Sequence, residues 1–214
     1  AYANAHGMQI AIHAIGDGML DRVLDACEKA LAAHPRRDHR HGVVHCQITR
    51  PDQLERIRKL GMHVYLQSIF LDYDARIVFD RVGPALAGTS YAAKSLLQSG
   101  VTFSNGSDAP VEDPAVLRGV ECAVTRRSIG STAPPYRPEE ALSVREALDS
   151  FTQYGAYASF EENCKGRIRA GMLADFVVLG ENPFETAPDR LHAIDVLATY
   201  LGGACVYRRE DVRF

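Results

Sequence analysis

Between residues 8 and 106 the chain alternates four times between a short apolar run and a connection with helical patterning. The runs lie near residues 8–13 ("MQIAIH"), 42–46 ("GVVHC"), 62–67 ("MHVYLQ") and 102–106, within "VTFSNG". The first is mostly apolar with no polar face, the pattern of a strand buried on both sides. In "GMLDRVLDACEKALAAH", Leu20, Val23, Leu24, Cys27 and Leu31 recur at helical spacing and make one apolar stripe. Thr49 is the expected start of the next helix, its hydroxyl accepting the amide hydrogen of Asp52, with Pro51 in the first turn and Gly61 at the end. Leu54, Ile57 and Leu60 form its buried side. "SIFLDYDARIVFDRVG" reads as a looser polar and aromatic stretch, and "SYAAKSLLQSG" as a helix closing at Gly100. A series of this kind predicts a parallel sheet with right-handed crossovers. Four units fit either an open sheet or half of an eight-stranded barrel.

Beyond residue 108 the pattern changes. "DPAVLRGVECAVT" is helical, and 127–142 is a loop with Ser, Gly and three prolines. Ser143 and Glu146 make a capping box ahead of "ALDSFTQYGAYASF". "DFVVLG" is a strand, 180–192 a turn-rich connection, and "IDVLATYLGGACVYRR" two strands around Gly202 and Gly203. With no helices between them, these late strands predict a small β subdomain, which divides the chain into 1–168 and 169–214. The opening "AYANAHG" reads as the last turn of a helix closed by Gly7, so the chain is expected to be part of a longer protein. Its exposed sheet edges predict pairing with another chain, whether the missing N-terminal half or a second copy.

Composition narrows the function. The 214 residues are 46% hydrophobic, ample for a core, with a formal net charge of −3. That balance argues against a nucleic-acid or membrane surface, and no apolar run is long enough to span a bilayer. The five cysteines, without CxxC spacing, predict reduced thiols and a cytoplasmic setting.

In barrels the chemistry sits at the C-terminal ends of strands. His13, His45 and Asp108 all fall at such ends. Histidine and aspartate suit zinc and similar divalent ions, and a carboxylate can take a proton from activated water. The plainer alternatives are a buried histidine satisfied by a backbone carbonyl and an Asp108 that caps the following helix. His34, His39 and His41 lie among Arg36, Arg37 and Arg40 and read as a wet surface loop. His63 starts a strand at the wrong end for chemistry, His6 and His192 belong to no constellation, and Cys46 reads as core. Asp17 is either a helix cap or part of a pocket wall.

The blocks "IHAIGDGMLDRVLDA", "RHGVVHCQIT", "GVTFSNGSDAPVEDP" and "GRIRAGMLADFVVLGENP", in this order, resemble the C-terminal half of a metal-dependent amidohydrolase of the amidohydrolase family 3 branch. The resemblance implies a distorted (β/α)8 barrel with a small β-sandwich built from both chain ends. His13 and His45 would end the fifth and sixth strands and bind the divalent metal, zinc first among candidates. Asp108 would end the eighth, binding metal or water and taking the proton. The family's strand-one His-x-His pair and strand-four lysine have no counterpart here, and Val44 stands where a glutamate commonly precedes the sixth-strand histidine.

The implied activity is hydrolysis of an amide or cyclic amide C–N bond in a small-molecule substrate, with Asp108 as general base. Asp17, Gln47, Gln67 and Ser107 are assigned by position to the substrate side, and residues 68–84 to substrate choice. The rival reading is a non-catalytic or regulatory homologue, or an inactive fragment, keeping the barrel scaffold. An open α/β binding domain is weaker, because no GxGxxG follows a strand.

Overall fold

The computed structural model describes residues 1–212. Helix α1 (Tyr2–Ala5) leads into β1 (Ala11–Ala14), α2 (Asp17–Ala33), β2 (Gly42–His45), α3 (Pro51–Leu60) and β3 (His63–Leu66). A 3-10 turn at Ser68–Phe70, α4 (Leu71–Asp74), α5 (Val78–Ala87) and α6 (Ala93–Gln98) carry the chain to β4 (Phe103–Asn105). The four strands form one parallel sheet in the order β1-β2-β3-β4. This is the parallel sheet that the alternation predicts, a partial barrel of the kind the family resemblance implies. Helices α7 (Val116–Thr125), α8 (Val144–Phe151) and α9 (Gln153–Ala158) follow. Strands β5 (Phe176–Leu179), β6 (Val196–Leu201) and β7 (Ala204–Arg208) then make a separate antiparallel sheet. Residues 213 and 214 of the stretch 169–214 lie outside the described residues.

Strand alternation gives the parallel sheet two different faces. Val43, Val64 and Phe103 are fully buried on one, in a single core with Leu20, Leu24 and Cys27 of α2, Ile57 of α3 and Leu96 of α6. The other face is polar. His13 pairs opposite Val44, Val44 opposite Tyr65, and Tyr65 opposite Ser104. On this face the Tyr65 ring lies directly over Gly42, where a Cβ would come 2.3 Å from the ring carbon Cε2.

Three local expectations need correction. Thr49 does not cap α3: its hydroxyl donates to the Thr89 carbonyl at 2.8 Å. The N-cap is Arg50, whose N–H donates to the Gln53 side chain at 3.0 Å. The stretch from 68 onward is largely helical, because Leu71 and Val78 find a second small core with Ile69, Ala87, Tyr91, Cys122 and Tyr136. It bends where Gly83 adopts a φ of 74° ahead of Pro84. His39 and His41 are not on the surface; they are 3% and 0% exposed. The His41 N–H donates to His39 Nδ1, and His41 Nε2 meets Asn4 Oδ1 at 3.0 Å. Asn4 in turn donates to the carbonyls of Ala30 and His34. This clasp ties α1 to the end of α2. The Ser143–Glu146 capping box forms as expected, with Glu146 N–H donating to Ser143 Oγ at 3.2 Å.

Burial sets an acid limit on the fold. It is the main cause that pulls His41 and His63 down to about 4, with neighbouring positive charge adding to it. An unfolded histidine titrates near 6.5. These groups therefore support the fold fully above about pH 6.5 and lose that support as pH falls toward 4, by up to about 1.4 kcal/mol per pH unit for each. Urea midpoints measured against pH should fall across this window, and His63→Gln should remove about half of the histidine slope. Gly42→Ala should cost about 1–3 kcal/mol by pushing Tyr65 aside. An unchanged urea midpoint would show that the ring is not seated there.

Candidate metal centre

The parallel register delivers β1 and β2 to the same edge of the sheet. Ala14 pairs opposite His45, so regular strand geometry would send His45 to the helix side with Ala14. It does not go there. His45 has a φ of 76° and Cys46 one of 50°, left-handed values that cost about 1–3 kcal/mol each for such residues. The turn is held by the Cys46 N–H donating to the Ala14 carbonyl at 3.0 Å and the Ile48 N–H donating to the Ile15 carbonyl at 2.9 Å. Cys46 drops into the core as expected, and burial pushes its thiol up to about 12. The His45 ring comes edge-on to the His13 ring, with centroids 4.5 Å apart.

His45 is buried and its orientation is fixed. Its Nδ1 meets Gln67 Oε1 at 2.8 Å, and its ring lies nearly parallel to Phe70 with centroids 6.0 Å apart. Gln67 thus serves the histidine. The His13 side chain is exposed and makes no hydrogen bond among the described residues, so the carbonyl-satisfied alternative does not hold for it. Asp108 is exposed on the turn after β4 with a φ of 56°. It caps no helix, since α7 begins only at Val116.

The two imidazoles are of the donor type that a zinc ion takes, and the hydrogen bond on His45 Nδ1 is the kind of partner that metal-bound histidines carry. Two histidines are fewer than the three or four protein ligands of a zinc site. Among the described residues no three His, Cys, Asp or Glu side chains are grouped to hold a metal ion, and Asp108 is not grouped with the pair.

The remaining site expectations divide. Gln47 Nε2 donates to Asp74 Oδ2 at 3.0 Å and to the Tyr91 hydroxyl, which itself donates to Asp74. Burial, with the Asp74 carboxylate adding to it, pushes the Tyr91 phenol well up. Asp74 lies within the 68–84 stretch that the sequence assigns to substrate choice; Tyr91 lies beyond it and is not singled out by the sequence. Ser107 lines a cavity of about 250 Å³ with Asn105, Gly106 and Asp113. Asp17 is the first residue of α2, after Gly16 at the N-cap, and pairs with Arg50 Nη1 at 2.7 Å.

A sequence profile described as "Amidohydrolase family" matches residues 1–207. The chain belongs to the amidohydrolase family. This amidohydrolase chain is 35% identical over 210 residues to YtcJ of Bacillus subtilis (strain 168), covering 97% of its own length and 39% of that protein. It is 30% identical over 209 residues to the N-substituted formamide deformylase of Arthrobacter pascens, covering 97% and 38%. A crystal structure of an uncharacterized metal-dependent hydrolase from Pyrococcus horikoshii OT3 superposes with a TM-score of 0.75 at 27% identity, over 87% of this chain and 36% of that one. The chain therefore spans well under half the length of these relatives.

The ion pair between Asp17 and Arg50 can be checked directly. As one arm of a partly exposed ion pair, Asp17→Asn should cost no more than about 1 kcal/mol. A double-mutant cycle with Arg50→Gln, read by urea unfolding, should show the two losses coupled.

Proposed function

We propose that this chain on its own is a non-catalytic part of a hydrolase scaffold, and that within a longer protein it contributes His13 and His45 to a divalent-metal centre that cleaves a C–N bond. The observation that carries the reading is the contact between these two histidines at neighbouring strand ends, with no third ligand grouped beside them among the described residues. Family membership supports the hydrolytic part. So does the relative from Arthrobacter pascens, whose name describes removal of a formyl group from a substituted nitrogen.

In this reading His13 and His45 hold the ion, with zinc first among candidates because its sites take imidazole nitrogen. A bound divalent ion supplies polarisation of a substrate carbonyl and a lowered pKa for water. Asp108 is the candidate general base, taking a proton from the attacking water and passing it to the leaving nitrogen. Gln47 and Ser107 stay on the substrate side. Gln47 keeps Oε1, a buried acceptor without a partner, beside the Tyr91 hydroxyl. The remaining metal ligands come from the residues that precede this chain in the longer protein. Five cysteines that form no disulfide are compatible with a reducing, cytoplasmic setting, and no helix among the described residues is long and apolar enough to cross a membrane.

The test separates binding from proton transfer. In the whole protein, His13→Ala should lower zinc content measured by atomic emission. Asp108→Asn should keep much of the metal and reduce hydrolysis of N-substituted formamides by about 100-fold or more. An unchanged rate in Asp108→Asn would remove Asp108 as the base. The 214-residue chain alone should show no turnover, and turnover by it would overturn the scaffold reading.

A further inference from the structure

We propose that Gln67 is a positioning residue for the metal site, fixing His45 as the Nδ1–H tautomer so that Nε2 is presented as a ligand atom. This rests on the functional reading above and replaces the substrate-side role that position in the sequence assigns to Gln67.

The argument begins with the amide of Gln67. Its Nε2 donates to the backbone carbonyl of Tyr65 at 3.1 Å. A carbonyl accepts and cannot donate, so this contact fixes which end of the amide points where. The flipped amide would set two oxygens against each other. Oε1 is therefore the atom facing His45 Nδ1, at 2.8 Å. Because Oε1 also only accepts, Nδ1 must carry the proton, and in the neutral ring the lone pair is left on Nε2.

The surroundings leave little freedom to either side chain. Gln67 is 8% exposed and His45 is 5% exposed. Phe70 lies along the face of the imidazole and the His13 ring meets it edge-on. Tyr65 belongs to β3, so the chain of contacts runs from a strand carbonyl through an amide to an imidazole. The sheet itself thus sets the tautomer. A methionine in place of Gln67 would fill similar space but leave Nδ1–H without an acceptor.

The decisive measurement is the tautomer of His45 in the metal-free full chain, read from long-range 1H–15N correlation spectra at alkaline pH and assigned with His45→Ala. The expected signature is Nδ1–H. Gln67→Met should move His45 toward the Nε2–H form that free imidazole prefers, and weaken zinc binding of the whole protein by about 10–100-fold in a competition titration. Gln67→Glu, which restores an acceptor, should return the Nδ1–H signature. An Nε2–H signal in the unaltered chain would overturn the proposal, and so would a tautomer unmoved by Gln67→Met. If Gln67→Met fails to fold, the spectrum of the unaltered chain still decides. An Nδ1–H signal in a whole protein that binds no zinc would support the positioning by Gln67 and defeat the metal reading of the site, so the two failures are distinguishable.

Discussion

Three consecutive parallel pairings run across β1 to β4, and each strand consequently delivers its last residues to the same edge of the sheet. That register is what lets residues far apart in sequence meet. His13 and His45 are separated by a helix and a loop, yet their rings touch. The register in turn depends on the dry face. Val43, Val64 and Phe103 sit in neighbouring strands against α2, α3 and α6, and a slip of one residue would turn all of them to the polar side.

The histidine pair exists against the local preference of the strand. Regular geometry would place His45 on the helix side. Two consecutive left-handed residues bring it around, and hydrogen bonds from the turn to the end of β1 hold them. Strain of this kind persists only where the surroundings over-determine it. Here the same bonds that continue the strand pairing also secure the turn, so the geometry of the histidine pair and the end of the sheet are one structure.

Polar groups are buried at both ends of the sheet, with different consequences. At the N-terminal end, His41 is sealed by Asn4 and His39, and His63 by the hydroxyls of Thr102 and Ser104. Arg40 stacks over Tyr157 and Phe160 while pairing with Asp38 and Glu162, which fastens the loop before β2 to the chain after α9. These groups are closed and serve stability. At the C-terminal end the network stays open: Gln47 Oε1 is a buried acceptor without a partner, and the His13 side chain makes no hydrogen bond among the described residues. Completed networks below and incomplete ones above match the division of labour expected of a barrel.

The sequence by itself determined the four parallel strands, the antiparallel sheet after residue 175 and the strand-end positions of His13, His45 and Asp108. Periodicity and turn residues are local signals, and each of these features is written locally. What only the tertiary structure decided was partnership. "RRDHRH" looks like a solvated loop because its residues are polar, but His39 and His41 become buried once Asn4 and Leu60 come to meet them. Asp17 looks like a cap until Arg50 arrives from 33 residues away. Gln67 looks like a substrate contact until the Tyr65 carbonyl orients its amide toward His45. A residue type states which hydrogen bonds a side chain can make; the packing of distant segments decides which of them it makes.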